Sequence, residues 1–221
     1  MAARTGTPAT GTPATRTPAT GATIAEPDRS AARGGPDGSG AALQASCRTE
    51  LTRWTPPDAE QRALREVYLT RLDNHPRAWS RECPSAHLTA TAVICDPARR
   101  RVLLIKHRKV GLWLPTGGHI EPDDASVSAA ALRESVEESG VSGLSVLDGV
   151  TLLSRHPAPC DTADWHLDVQ FTVVVDEHGA AVEDIGSHES TAAGWFGWHA
   201  LPEPTDDAVR QLVAASITRL R

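Results

Sequence analysis

The stretch "GGHIEPDDASVSAAALRESVEESGV", residues 117–141, crowds three glutamates, Glu134, Glu137 and Glu138, into little more than one helical turn. Residues three and four apart are neighbours on a helix, so these carboxylates share a face and repel one another. Gly140 is the residue type expected just past a helix C-terminus, which places the acids near the negative end of the macrodipole. Each charge there costs on the order of 0.3 to 1 kcal/mol. Such an arrangement needs a compensating charge. Carboxylates beside a backbone carbonyl are the oxygen ligands that a hard divalent cation takes, and such an ion removes the repulsion. A merely solvated acidic face is the usual meaning of a charge run, but the dipole end, the preceding glycine pair and Arg133 all argue against it.

The spacing predicts a helix over residues 126–139, with Ala125, Ala129, Leu132 and Val136 as its buried stripe and the acids opposite. Val127, Ala130 and Ala131, upstream on the acidic side, are small enough to admit a neighbouring loop. That loop is expected to be "PTGGH" (115–119), where Gly117 and Gly118 free the backbone for tight conformations and for contact with a ligand.

Working outward, "HLTATAVIC" (87–95) and "RVLLIKH" (101–107) read as strands joined into a hairpin by "DPAR". "TLLSRH" (151–156), "HLDVQFTVVVD" (166–176) and "AGWFGW" (193–198) read as further strands. An amphipathic helix over about 56–74 is expected, with Thr55 as N-cap and Pro56 at the first helical position. A closing helix over about 205–220 presents Val209, Leu212, Val213, Ser216, Ile217 and Leu220 on one side, behind Asp206 and Asp207. This is a mixed α/β pattern with too few strand–helix alternations for a doubly wound sheet.

A chain of 221 residues, 40% hydrophobic, suffices for one core with a tail. "TGTPATGTPATRTPATGAT" (5–23) repeats a five-residue unit too poor in apolar surface to offset its ordering entropy, so residues 1–45 read as a disordered tail and 46–221 as the domain. A transit peptide is the competing reading, since Arg4 and Arg16 precede the first acid, Glu26, but the tail lacks an amphipathic pattern. The net charge of -6 argues against a nucleic-acid or acidic-membrane binder, because counterion release requires a basic surface. No long apolar run or secretory signal is evident, and Cys47, Cys83, Cys95 and Cys160 form no C-x-x-C pair. A cytoplasmic protein with reduced thiols is expected, with no nucleic-acid or membrane partner and a homodimer as one possible assembly.

The segment "GGHIEPDD...LRESVEESGV" resembles the Nudix box, written G-x5-E-x7-R-E-U-x-E-E-x-G-U with U apolar. Gly118 matches the glycine, Arg133 and Glu134 the R-E pair, Glu137 and Glu138 the E-E pair, and Gly140 and Val141 the ending. Three departures stand out: Asp124 replaces the first glutamate, one extra residue precedes Arg133, and Ser135 occupies an apolar position. The resemblance, over about residues 87–201, implies an α/β/α sandwich with a mixed sheet. It also implies hydrolysis of a diphosphate linking a nucleoside to another group, with Mg2+ or Mn2+. The metal ligands it implies are Glu134, Glu137, Glu138 and the Gly118 carbonyl, with Arg133 orienting Glu137. Some members carry a glutamate shortly before the tryptophan of a late strand as ligand or base, and Glu189, six residues before Trp195, fits that place. Either Glu189 or a box glutamate such as Glu137 or Glu138 is then the base that takes a proton from the attacking water.

Outside the box, Lys106, Arg108 or Lys109 are candidates to meet phosphates, although a basic strand end that keeps the edge soluble is an equal reading. His119 and Glu121 alternate on one side of a short strand, and His166 and Asp168 share a strand face that is a candidate pocket wall. Trp113, Trp165, Trp195 and Trp198 are candidates to stack on a base, against the commoner role of core aromatics. A ligand sensor of the same fold would show an eroded box, whereas these glutamates are intact. A relative of isopentenyl diphosphate isomerase would carry a cysteine near the metal loop, where this chain reads "LPTGGH".

Overall fold

The computed structural model describes residues 38–158, 162–176 and 190–221, all within one compact unit, Gly34–Arg221. In chain order the elements are α1 (Gly38–Arg53), α2 (Ala59–Asn74), β1 (Ser85–Asp96), β2 (Arg101–His107), β3 (Trp113–Leu114), β4 (Thr116–His119) and α3 (Val127–Ser139). They continue with β5 (Leu144–Val146), β6 (Leu152–Pro157), β7 (Ala163–Val175), β8 (Ser190–Gly197) and α4 (Asp207–Arg219). One mixed sheet runs β3-β2-β1-β7-β5, with β4 added to β1, β6 to β7 and β8 to β2.

The axis of the sheet is the parallel ladder between β1 and β7, which pairs His87 with His166, Thr89 with Asp168 and Thr91 with Gln170. Side chains alternate across a strand, so each ladder residue has a fixed face. Leu88, Ala90, Ala92 and Ile94 of β1 and Leu167, Val169, Phe171 and Val173 of β7 join one core with Leu43 and Leu51 of α1, Tyr68 and Leu72 of α2, and Val127, Ala130 and Ala131 of α3. On the opposite face, Val93 and Cys95 join Val102 and Leu104 of β2 beneath Val209, Leu212, Val213 and Ile217 of α4. Helices therefore cover both faces, the α/β/α sandwich expected from the sequence. Each large side chain fully buried in these cores contributes about 1.5 to 3 kcal/mol.

Three expectations change. Helix α1 begins inside the stretch read as tail. Its inward residues, Leu43, Cys47 and Leu51, recur every fourth position among glycine and small polar residues, which mutes the hydropathy signal. Gln44 ties it to α2 by donating to the carbonyls of Leu72 (2.6 Å) and His75 (2.8 Å). Helix α2 is capped by Asp58, not Thr55, with the carboxylate accepting the Gln61 N–H at 2.8 Å. A residue that precedes proline is kept out of the helical region, so Pro56, followed by Pro57, does not open a helix. In α3 the buried face is Val127, Ala130, Ala131, Ser135 and Glu138, while Val136 of the expected stripe is 45% exposed. Small side chains won because they let β4 approach closely. The expected hairpin of β1 and β2 and the helix beginning behind Asp206 both form.

Among the described residues no helix is long and apolar enough to cross a membrane. Cys47, Cys83 and Cys95 are buried free thiols, and burial pushes Cys47 and Cys95 up to about 12; Cys160 lies outside the described residues.

At the β1–β2 turn the buried Asp96 carboxylate accepts from the Arg99 guanidinium at 3.0 Å and from Arg101 at 2.9 Å. Burial alone raises its pKa, but the bonds from the two arginines outweigh burial and hold it below its usual range. A lowered folded pKa means the contribution is complete above the usual carboxylate range and is lost as pH falls through the folded value. Asp96→Asn is expected to destabilise the fold by about 1 to 3 kcal/mol in urea unfolding at neutral pH. It should also remove part of the acid sensitivity of the wild type.

Candidate active site

The box loop is positioned by the antiparallel register of β4 on β1, which pairs Thr116 with Ala92, Gly117 with Thr91, Gly118 with Ala90 and His119 with Thr89. Thr116 and Gly118 thus face α3, and Gly117 and His119 face the α4 side. Thr116 Oγ1 bonds the Ala92 carbonyl (2.9 Å) and Ser135 Oγ (3.1 Å), and Ser135 also donates to the Ala131 carbonyl (2.7 Å). The serine at the apolar box position is therefore buried but satisfied, and it joins helix to loop. Both glycines are required by close approach rather than by left-handed backbone, unlike Gly140, which ends α3 at φ 64°. A Cβ on Gly118 would lie 2.5 Å from Glu134 Oε1, and one on Gly117 would lie 2.7 Å from the Ala90 carbonyl oxygen.

Arg133 is the hub of the site. Its guanidinium donates to both carboxylate oxygens of Asp124 (3.1 and 3.0 Å), to Glu134 (2.9 Å), to Glu137 (3.0 Å) and to the His119 carbonyl (3.0 Å). Asp124 also accepts the Glu121 N–H at 2.7 Å, closing the loop that holds the extra residue. Glu134 is held above its usual pKa, because burial, together with Glu137 and Glu121, outweighs the pull of Arg133. Glu138 is 6% exposed and accepts the Gly117 N–H at 2.9 Å. The Glu137 side chain is 57% exposed.

Beside Glu138 opens a cleft of about 330 Å³, walled by Thr91, Gly117, Ser154, Asp168 and Gln170 and bordered by the start of α4. A larger cavity, about 580 Å³ between Arg53, Trp54 and Arg219, contains none of the box carboxylates, so the chemistry selects the smaller one. The cleft arises where α4 stops covering the sheet, and there the exposed face turns polar. Buried Asp168 accepts from Thr89 and Thr91, both at 2.9 Å, and from Gln170 at 3.0 Å. At one end, His156, His166 and His87 sit side by side on β6, β7 and β1. His119 leans in from β4, its ring centroid 5.1 Å from His87 and 5.3 Å from His166. Burial, then His87, His156 and His119, hold His166 down to about 3; burial, then His87 and Arg81, hold His119 to about 4.

The structure brings Gly118, Arg133, Glu134, Glu137 and Glu138 together and sets Asp168 in the cleft wall; His166 lies behind His156, the member of the histidine cluster that lines the cleft, with His119 against His166. It does not bring every candidate there. Lys106 lies 5.8 Å over the Trp113 ring and Arg108 donates to the Ser190 carbonyl at 3.0 Å, whereas the cleft takes His107 from that segment. Of the tryptophans, Trp113 packs on Phe196, Trp195 lies under Arg101, Trp165 under Arg155 and Trp198 near Arg100. None of them lines the cleft. Glu189 lies outside the described residues. Sequence reading missed Thr91, Ser154, His156 and Gln170, although the alternation of His166 and Asp168 continues to Gln170.

The NUDIX domain family model matches residues 85–215, more than half of the chain. The chain belongs to the NUDIX domain family. No curated protein sequence matches it. Its fold is similar to a MutT NUDIX hydrolase from Burkholderia pseudomallei (21% identity, 59% of this chain and 98% of that chain, TM-score 0.48). It is likewise similar to the E. coli dihydroneopterin triphosphate pyrophosphohydrolase (18%, 60% and 95%, TM-score 0.49). A C. elegans Ap4A hydrolase matches comparably (18%, 61% and 98%, TM-score 0.48).

The two glycines should separate in mutation. Gly117→Ala drives a methyl into β1 backbone and is expected to cost about 1 to 3 kcal/mol of stability. Gly118→Ala meets only the movable end of Glu134, so it should spare thermal stability and lower turnover. A second expectation concerns pH. The unfolded imidazole of His166 takes up a proton near its ordinary value while the folded one resists to about 3. Stability should be complete above about pH 6.5 and decline toward pH 3. His166→Asn should flatten that slope in urea unfolding series.

Proposed function

We propose that this protein is a hydrolase that cleaves a diphosphate linkage in a nucleoside diphosphate joined to another group, using Mg2+ or Mn2+. The observation that carries the reading is the disposition of the carboxylates: Arg133 ties Asp124, Glu134 and Glu137 together, while Glu138 reaches the cleft from a buried position. The donor set fits such an ion. It is all oxygen, it retains net negative charge beyond Arg133, and at Gly118 no side chain intervenes between strand and Glu134. Gly118, Glu134, Glu137 and Glu138 are the residues that would hold it. When bound, the ion supplies positive charge to phosphate oxygens and acidity to a water ligand.

The chain's own groups then divide the remaining work. Arg133 keeps the carboxylates aimed despite their mutual repulsion and cannot itself deprotonate at any working pH. Glu138 lines the cleft and is the box candidate to accept a proton from attacking water, with Glu189 as the other candidate. Asp168, saturated by Thr89, Thr91 and Gln170, orients the Gln170 amide at the wall and so contributes to recognition of the group beyond the phosphates. The cleft volume suits a small molecule. Buried reduced thiols at Cys47, Cys83 and Cys95 support a reducing compartment, the cytoplasm.

The test is a panel of nucleotide sugars, dinucleoside polyphosphates, nucleoside triphosphates and ADP-ribose, incubated with Mg2+ in heavy-oxygen water, with products read by mass spectrometry. One member should be cleaved with the label on a single phosphorus. Glu138→Gln should lower kcat by about 100-fold or more with an unchanged circular dichroism spectrum. Near-normal turnover of that variant, or tight binding of one member without cleavage by the wild type, would overturn the reading.

A further inference from the structure

The histidines at the end of the cleft are not used by the chemistry above. His87, His119 and His166 come from β1, β4 and β7, three laterally adjacent strands whose register fixes their backbones. Their ring centroids are 5.0 to 5.3 Å apart, and one ligating nitrogen from each lies within 4.8 Å of the others. Three imidazoles on a tetrahedral ion at about 2.0 to 2.1 Å hold their nitrogens about 3.3 Å apart, so modest ring rotations close the set. His87 Nδ1 is 3.4 Å from the Cys83 carbonyl, a contact of the kind that orients a ligating histidine. His119 Nε2 is buried without a hydrogen-bond partner, an orphan that a metal bond would satisfy.

We propose that His87, His119 and His166 form a second metal site, for a borderline divalent transition ion such as Zn2+, built from nitrogen donors and distinct from the oxygen donors of the box. Ligand type separates the two: carboxylates and carbonyls suit Mg2+ or Mn2+, whereas imidazoles suit zinc and its neighbours. Three protein ligands leave a position of a four-coordinate ion open, and half-buried His119 and exposed His156 are the side of the cluster nearest solvent. The ion also joins three strands of the sheet, so its binding should raise the unfolding temperature.

The test uses the full chain, stripped with a chelator and titrated with Zn2+ in excess Mg2+. One equivalent should bind, and thermal unfolding should shift upward. The double variant His87→Gln, His166→Gln should bind Zn2+ at least about 100-fold more weakly. Glu134→Gln with Glu138→Gln should leave zinc affinity unchanged, so loss of the box reading and loss of this site are told apart. Should the histidine variant fold poorly, zinc-edge X-ray absorption of the wild type decides. Scattering from three imidazole rings supports the site, and a shell of oxygens alone overturns it. Absence of saturable zinc uptake by the wild type, or uptake abolished in the glutamine variant and retained in the histidine variant, also overturns it.

Discussion

The site depends on the guanidinium of Arg133. Planar and permanently charged, it has enough donors to engage Asp124 through both oxygens and still reach Glu134, Glu137 and the His119 carbonyl. It joins the loop before α3, the helix itself and the end of β4 into one unit. The crowding of acids at the unfavourable end of the helix dipole is thereby offset by a resident cation, with the Gly117 N–H assisting at Glu138. The divalent ion proposed for this site would then enter a prearranged oxygen set, rather than being the only force that assembles one.

The second constraint is how far α4 reaches. Where it covers the sheet, the face beneath is Val93, Cys95 and Leu104; where it stops, the same face continues as Thr91, Thr89 and His87 beside Gln170, Asp168 and His166. Polar residues in the middle of a buried sheet are costly unless they bond one another. Asp168, accepting from three neighbours, shows how that cost is met. Tyr68 reinforces the wall from the other face by donating to the Ser154 and Asp168 carbonyls at 2.7 and 3.1 Å. Fold and cleft are therefore one object: the strand ladder that carries the core also carries the wall.

Much of this was legible. The R-E-x-x-E-E spacing announced the acidic helix, and alternation in "HLDVQF" put His166 and Asp168 on one strand face, of which Asp168 lines the cleft. Other parts were not. The α1 signal was masked by small residues, and the start of α2 was decided by the backbone restriction of consecutive prolines rather than by cap preference. The α3 stripe was misread because hydropathy ranks Val136 above Ser135, whereas a close strand rewards small size and a serine that can bond both Thr116 and its own helix. The basic run around Lys106 and Arg108 looked suited to phosphate, yet register turned it toward Trp113 and β8.

By itself the sequence determined what local spacing can encode: an acidic helix ending at Gly140, the glycine loop before it, a hairpin, a capped final helix and the resemblance to a box. Those features act over a few residues, where geometry follows from helix and strand periods alone. Only the tertiary structure decided which distant residues meet. The parallel pairing of β1 with β7 and the docking of β4 on β1 placed His87, His119 and His166 within a ring's width of one another, and set Thr91, Ser154 and Gln170 around Glu138. Register between strands far apart in sequence is a property of the packed sheet, where a shift by one residue would turn every one of these side chains to the other face.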